Sequence, residues 1–200
     1  MTATIFIVDD DAAMRDSLTG LLETAGLETK AYADGPAFLA ACKQESAGCI
    51  LLDMAMPGMN GSEVQAALNE RGLSLPVVFL TGHGDVPMAV RAVQNGAVDF
   101  LEKPVQGKTL LERVQRALAL DKQRRQTQAH AQNIRQSYAR LSPREREVMA
   151  LVVSGACNKD IARQLELSTR TVEVHRIHVM SKMGAANLPE LVKMSAHCPL

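Results

Sequence analysis

The 200-residue chain has no run of 18 apolar residues, so no segment is expected to span a membrane. Its first residues, "MTATIFIVDDD", lack both a basic start and a full apolar stretch, which argues against a secretory leader. Its four cysteines, Cys42, Cys49, Cys157 and Cys198, form no CxxC pair, so neither a disulfide framework nor a zinc knuckle is expected. Cys49 sits in an apolar run and reads as a plain core residue. Together these absences point to a reduced, cytoplasmic protein. Net charge is also missing, since 22 Lys and Arg balance 22 Asp and Glu, but the balance is uneven. Residues 1–120 carry 9 basic and 15 acidic side chains, residues 121–138 carry 4 and 1, and residues 139–200 carry 9 and 6. An acidic front and a mildly basic back suggest two domains with different partners, the second being nucleic acid.

What the chain does have is rhythm. Over the first 120 residues, short apolar runs at 4–8, 28–33, 49–52, 76–80 and 97–101 read as strands. Helical spacing marks 12–25, 35–43, 62–71, 87–95 and 107–120. Five such repeats predict an α/β doubly wound, five-stranded parallel sheet with helices on both faces. Residues 121–138 contain no Gly or Pro and are rich in Gln and Arg. Ala131, Ile134, Tyr138 and Leu141 keep a 3,4,3 spacing, so we read a solvated helical linker rather than a disordered one. From Leu141 onward there are no strand patterns. Ser142, Pro143 and Glu145 form a capped helix start, and Gly155 ends that helix. "NKDIARQL", a long helix over 169–183 closed by Gly184, and "LPELVKMSA" complete a small all-α, four-helix domain over 139–200 with a helix-turn-helix pattern.

The stretch "GCILLDMAMPGMNG" ends an apolar strand on Asp53 and then turns at Pro57-Gly58 and Asn60-Gly61. Alone, Asp53 reads as a loop-capping aspartate. In a doubly wound sheet, however, the carboxyl ends of the strands converge. There the first strand delivers Asp9, Asp10 and Asp11, the third Asp53, the fourth Thr81 and the fifth Lys103-Pro104. Crowded carboxylates call for a hard divalent cation, and an adjacent lysine and hydroxyl suit a phosphoryl group. The chemistry implied is phosphoryl transfer to Asp53. The "GKT" at 107–109 is a helix start, because the glycine a nucleotide loop needs five residues upstream is Glu102.

With "TGHGDVPMAVRAVQNGAVDFLEKP" these residues resemble the response-regulator receivers of the FixJ subfamily across about 120 residues. The resemblance implies a flavodoxin-like receiver over 1–120 that takes Mg²⁺. Asp53 would be the phosphoacceptor, and Asp9, Asp10, Asp53 and the backbone carbonyl of Ala55 would hold the metal. Thr81 would be the switch hydroxyl, Phe100 the switch aromatic and Lys103 the phosphate-binding lysine, with Lys103-Pro104 cis. Ala55 stands where many receivers have a longer polar side chain, which bears on the lifetime of the phosphoryl group. Val105 stands where Phe is frequent, and Asp11 is expected to be solvated rather than a ligand.

"LSPREREVMALVVSG" through "TRTVEVHRIHVMSKMGA" resembles the LuxR/NarL-type DNA-binding domain over about 60 residues. On the 169–183 helix, Val172, Val179 and Met183 should face the core. Arg170, Glu173, Val174, Arg176 and Ile177 should lie on or near the face that meets the major groove. Arg170 and Arg176 are expected to read guanine or bind phosphate, and Lys159 and Lys182 to touch phosphates. His178 stands where the family often has Asn. His175, His178 and the distant Cys157 lack a further metal ligand at suitable spacing, so His175 reads as a structural histidine against the preceding helix.

The expectation is a non-enzymatic, FixJ/NarL-type transcriptional response regulator. A sensor histidine kinase would donate the phosphoryl group, and the phosphorylated protein would bind double-stranded promoter DNA as a homodimer, with RNA polymerase as a further candidate partner. Two rivals stand beside it. An aspartyl phosphatase using Mg²⁺ would draw on Asp9-x-Asp11, and a regulator with a protein-binding output would leave DNA alone.

Overall fold

The computed structural model describes residues 3–82 and 96–199, so the helix expected over 87–95 lies outside the described residues. Five parallel strands, β1 (Thr4–Val8), β2 (Glu28–Tyr32), β3 (Gly48–Asp53), β4 (Val77–Thr81) and β5 (Asp99–Glu102), stand in the order β2-β1-β3-β4-β5. The register aligns Val8 with Leu52 and Asp53 with Leu80, while Thr81 faces Glu102. Strand order reverses between β1 and β3, and such a reversal opens a crevice at the carboxyl ends of the strands.

The alternation along each strand sorts the core. Phe6, Val8, Ile50, Leu52 and Phe79 point to one face and pack with Phe38 of α2 (Gly35–Ala41) and Val64 and Leu68 of α3 (Gly61–Glu70). Ile5, Ile7, Cys49, Leu51 and Val78 point to the other. They meet Leu18 and Leu22 of α1 (Ala12–Thr24) and Leu110, Val114 and Ala117 of α4 (Gly107–Ala139). A period of two against covered faces explains why β1 and β3 read as unbroken apolar runs. Burial, and after it the nearby Asp121 carboxylate, pushes the Cys49 thiol up to about 12, as befits a core residue.

β5 begins two residues later than its apolar pattern suggests, at Asp99. Gly96, with φ of 93°, turns the chain into it, and Val98 N–H already donates to Val77 O at 2.8 Å. Helix α4 continues without a break from Gly107 to Ala139, past the 107–120 pattern.

The chain divides into two compact units, Met1–Arg125 and Gln126–Leu200. In the second, α5 (Pro143–Val153), α6 (Asn158–Gln164), α7 (Thr169–Met183) and α8 (Leu188–Ser195) surround Val148, Met149, Ile161, Val172, Val179, Met183 and Leu191. Ser142 caps α5 in a reciprocal box with Glu145, as the sequence signature requires. Ile134 and Tyr138, from the segment read as a solvated linker, are buried in this core, and the Tyr138 hydroxyl donates to Pro199 O at 2.8 Å.

Candidate functional sites: an acidic pocket and an exposed helix face

Asp9 leaves β1 one step beyond the Val8–Leu52 pair, and Asp53 ends β3, so the two carboxylates emerge side by side. Both are almost fully buried, at 1% and 5% exposure. The Lys103 ammonium lies between them, 2.7 Å from Asp9 Oδ2 and 3.1 Å from Asp53 Oδ1. Its chain comes from just past β5, where Lys103 N–H donates to Thr81 O at 2.7 Å and the Lys103-Pro104 peptide is cis. Burial raises the Asp53 carboxyl above its ordinary value, against the lowering pull of Lys103 and of the Ala55 N–H. Burial also works to lower Lys103, but its hydrogen bonds to Asp9 and Asp53 outweigh it and hold the ammonium charged.

Asp9, Asp10 and Asp53 offer carboxylate oxygens that all lie within 4.8 Å of one another. Three carboxylates against one ammonium leave a net deficit matched by one divalent cation, and an all-oxygen donor set with open sides suits Mg²⁺. A cavity of about 480 Å³ opens beside them, lined by Asp53, Met54, Ala55, Asn60, Ser62, Thr81, Gly82 and Lys103. Between the lining residues Asn60 and Ser62, Gly61 allows a close approach of the chain, since a Cβ there would meet Asp53 O at 2.5 Å, and its N–H donates to Met54 O at 3.1 Å. Thr81 is buried, and Phe100 is half-buried with its ring 6.4 Å from that of Phe79.

Asp11 turns away from this group, because its carboxylate caps α1 by accepting from Ala13 N–H at 2.9 Å. That leaves the Asp9-x-Asp11 pairing of a phosphatase without its second acid. Arg15 and Ser62 nearby went unremarked in the sequence, and Asn60 was read only as a turn residue. Arg15 donates to the carbonyls of Asp9 and Asp10 at 2.7 and 3.0 Å and braces the acidic turn. Asn60 and Ser62 line the cavity from the start of α3. Only the helical return of α1 brings Arg15 back over that turn, so no local motif announces it.

The second site is α7. Arg170, Glu173, Val174 and Ile177 are exposed, with Val174 at 44% and Ile177 at 66%. Lys159, on α6, is exposed as well. Arg176 instead donates to Asn158 Oδ1 at 2.8 Å, tying α7 to the start of α6. Lys182 grips the Glu145 carboxylate with both oxygens, at 2.8 and 2.6 Å. That ammonium, with Ser142, draws the Glu145 carboxyl down to about 2. Both cations are thus engaged within their own domain.

Residues 5–115 match the family described as "Response regulator receiver domain", and residues 139–195 match "Bacterial regulatory proteins, luxR family". The chain is 44% identical to the transcriptional regulatory protein FixJ of Bradyrhizobium diazoefficiens, over 96% of this chain and 93% of that one. It is 45% identical to the tetrathionate response regulatory protein TtrR of Salmonella typhimurium, over 96% and 91%. Among solved structures, response regulator StyR superposes with a TM-score of 0.89 at 39% identity, covering 98% of this chain and 99% of that one. Full-length FixJ from B. japonicum gives 0.61 at 43% identity, covering 98% of each.

Proposed function

Because the chain belongs to the response regulators that join a receiver to a LuxR-family DNA-binding domain, and so to the phosphorylation-dependent transcription regulators, we propose that Asp53 is its phosphoacceptor and the exposed face of α7 its reader of promoter DNA. The observation that carries the first half is the Lys103 ammonium held between Asp9 and Asp53 beside an open cavity. Asp53 presents a carboxylate oxygen to the phosphorus of a phosphohistidine on a sensor kinase. The new O–P bond forms as the P–N bond breaks, and the imidazole leaves with a proton from solvent. Asp9, Asp10, Asp53 and the Ala55 carbonyl would hold Mg²⁺, which would neutralise charge on the phosphoryl oxygens. Lys103 exchanges part of its contact with Asp9 and Asp53 for the phosphoryl group, and the Thr81 hydroxyl follows, with Phe100 repositioned beside it. The altered surface favours a homodimer, and two copies of α7 then address a two-part site in duplex DNA. The compartment that fits is the cytoplasm; no helix among the described residues is long and apolar enough to cross a membrane.

Incubation with acetyl phosphate and Mg²⁺, followed by intact mass measurement, tests the receiver half. Wild type should gain one phosphoryl group and Asp53→Asn none. Equal uptake by the variant would move the phosphoacceptor elsewhere.

A further inference from the structure

We propose that the DNA-binding domain carries a second cation site, formed by Glu145 of α5 with His175 and His178 of α7, that takes a borderline transition-metal ion such as Zn²⁺. In sequence the two histidines lack a partner; folding supplies it from 30 residues upstream. One ligand atom from each of the three side chains lies within 4.8 Å of the other two. His178 Nδ1 is 3.7 Å from Glu145 Oε1. Two ligands of a tetrahedral zinc, each roughly 2.1 Å from the ion, stand about 3.4 Å apart, so a small closure completes that edge.

Two further features favour a cation. The Nδ1 of His175 is buried and makes no hydrogen bond among the described residues, an arrangement that costs free energy unless something binds the ring. Glu145 is 3% exposed and fixed by Ser142 N–H on Oε2 at 2.7 Å, so it is preorganised as a ligand through Oε1. Two nitrogens and one oxygen select against Mg²⁺ and leave a fourth position for water. Lys182 is the competitor, since its ammonium also contacts Oε1 at 2.8 Å. An incoming ion displaces it from that oxygen alone, while Oε2 keeps both Ser142 and Lys182. The ion would pin α7 to α5 independently of phosphorylation.

Co²⁺ serves as the probe. It is titrated into the reduced full-length protein with excess Mg²⁺ present to fill the acidic pocket, and visible absorption separates an intense tetrahedral spectrum from the weak octahedral one of an oxygen site. Wild type should develop the tetrahedral spectrum with one equivalent. His178→Ala, which removes a half-exposed side chain, should lose it and bind about tenfold or more weakly. Lys182→Gln should bind more tightly, its competitor gone. Absence of a tetrahedral spectrum in wild type, or an unchanged one in His178→Ala, overturns the site and assigns any binding to Cys157 or the other histidines.

Discussion

Lys103 is the residue on which the acidic pocket balances. Its ammonium neutralises part of the charge that Asp9 and Asp53 would otherwise turn on each other, and it therefore competes with any metal ion for the same oxygens. Lys103→Ala should bind Mg²⁺ more tightly than wild type and still accept a phosphoryl group, yet activate transcription poorly. A magnesium titration followed by a reporter assay checks both halves. Weaker Mg²⁺ binding by the variant would mean that Lys103 shapes the pocket rather than competing in it. Asp9, Asp53, Thr81 and Lys103 were legible because each ends or directly follows a strand, and the ends of parallel strands converge whatever their order in the chain. Arg176 and Lys182 were not legible in the same way. Their partners, Asn158 and Glu145, lie 18 and 37 residues away, and a helical wheel of α7 shows only which face they leave from.

At the scale of elements, the clearest lesson is α4. Its polar stretch over 121–130 carries no sign of burial, yet Asp121 is 6% exposed and accepts from Gly48 N–H at 3.0 Å. Gly48 has φ of 134°, and a Cβ there would fall 1.8 Å from Thr4 O, so the helix docks on a strand start that only glycine can form. Arg125 adds contacts to the carbonyls of Glu45 and Ser46 at 3.3 and 3.1 Å. These partners belong to turns remote in sequence, which is why the pattern of residues 121–138 reads as solvated. Burial raises the Asp121 carboxyl above its ordinary 3.8, against the Gly48 N–H and the Arg125 and Arg124 charges. The native state therefore holds a proton there to higher pH than the unfolded chain does. This group's contribution to stability falls as pH rises from 3.8 through the native value. Asp121→Asn keeps an acceptor for Gly48 without the buried charge, so it should match or exceed wild-type stability and flatten that pH dependence. Asp121→Ala strands the Gly48 N–H and should cost about 1–3 kcal/mol. Hydrogen exchange at the Gly48 amide across acidic pH reads both effects locally. Unchanged protection in the alanine variant would show that another group holds the strand start.

For the molecule as a whole, the strand pattern, the two compact units and the basic excess of the later residues agree on a division of labour. Residues 1–120 carry 15 acidic against 9 basic side chains, whereas 139–200 carry 9 basic against 6 acidic. Duplex DNA should therefore feel attraction from the second unit, with weak salt-dependent contributions from each exposed cation. Only exposed cations can contribute in this way, which separates the basic residues around α7. Arg170 and Lys159 are exposed, while Arg176 is held by Asn158. Arg170→Ala should cost about 1–3 kcal/mol on the cognate duplex, concentrated at one base position, if its guanidinium reads a base edge. Lys159→Ala should weaken cognate and scrambled duplexes alike and lower the salt slope by about one unit. Arg176→Ala removes the tie between α6 and α7, so it should lower the stability of the domain and weaken cognate binding without altering base preference. Ile177, the most exposed large apolar residue of α7, then remains to meet a thymine methyl, and Ile177→Ala should relax preference at an A·T pair. Isotherms for the four variants on cognate, singly substituted and scrambled duplexes, each at several salt concentrations, separate these roles. Parallel loss on every duplex by Arg170→Ala and Ile177→Ala together would remove base reading from this face of α7 and leave specificity to Val174, Glu173 or the shape of the DNA.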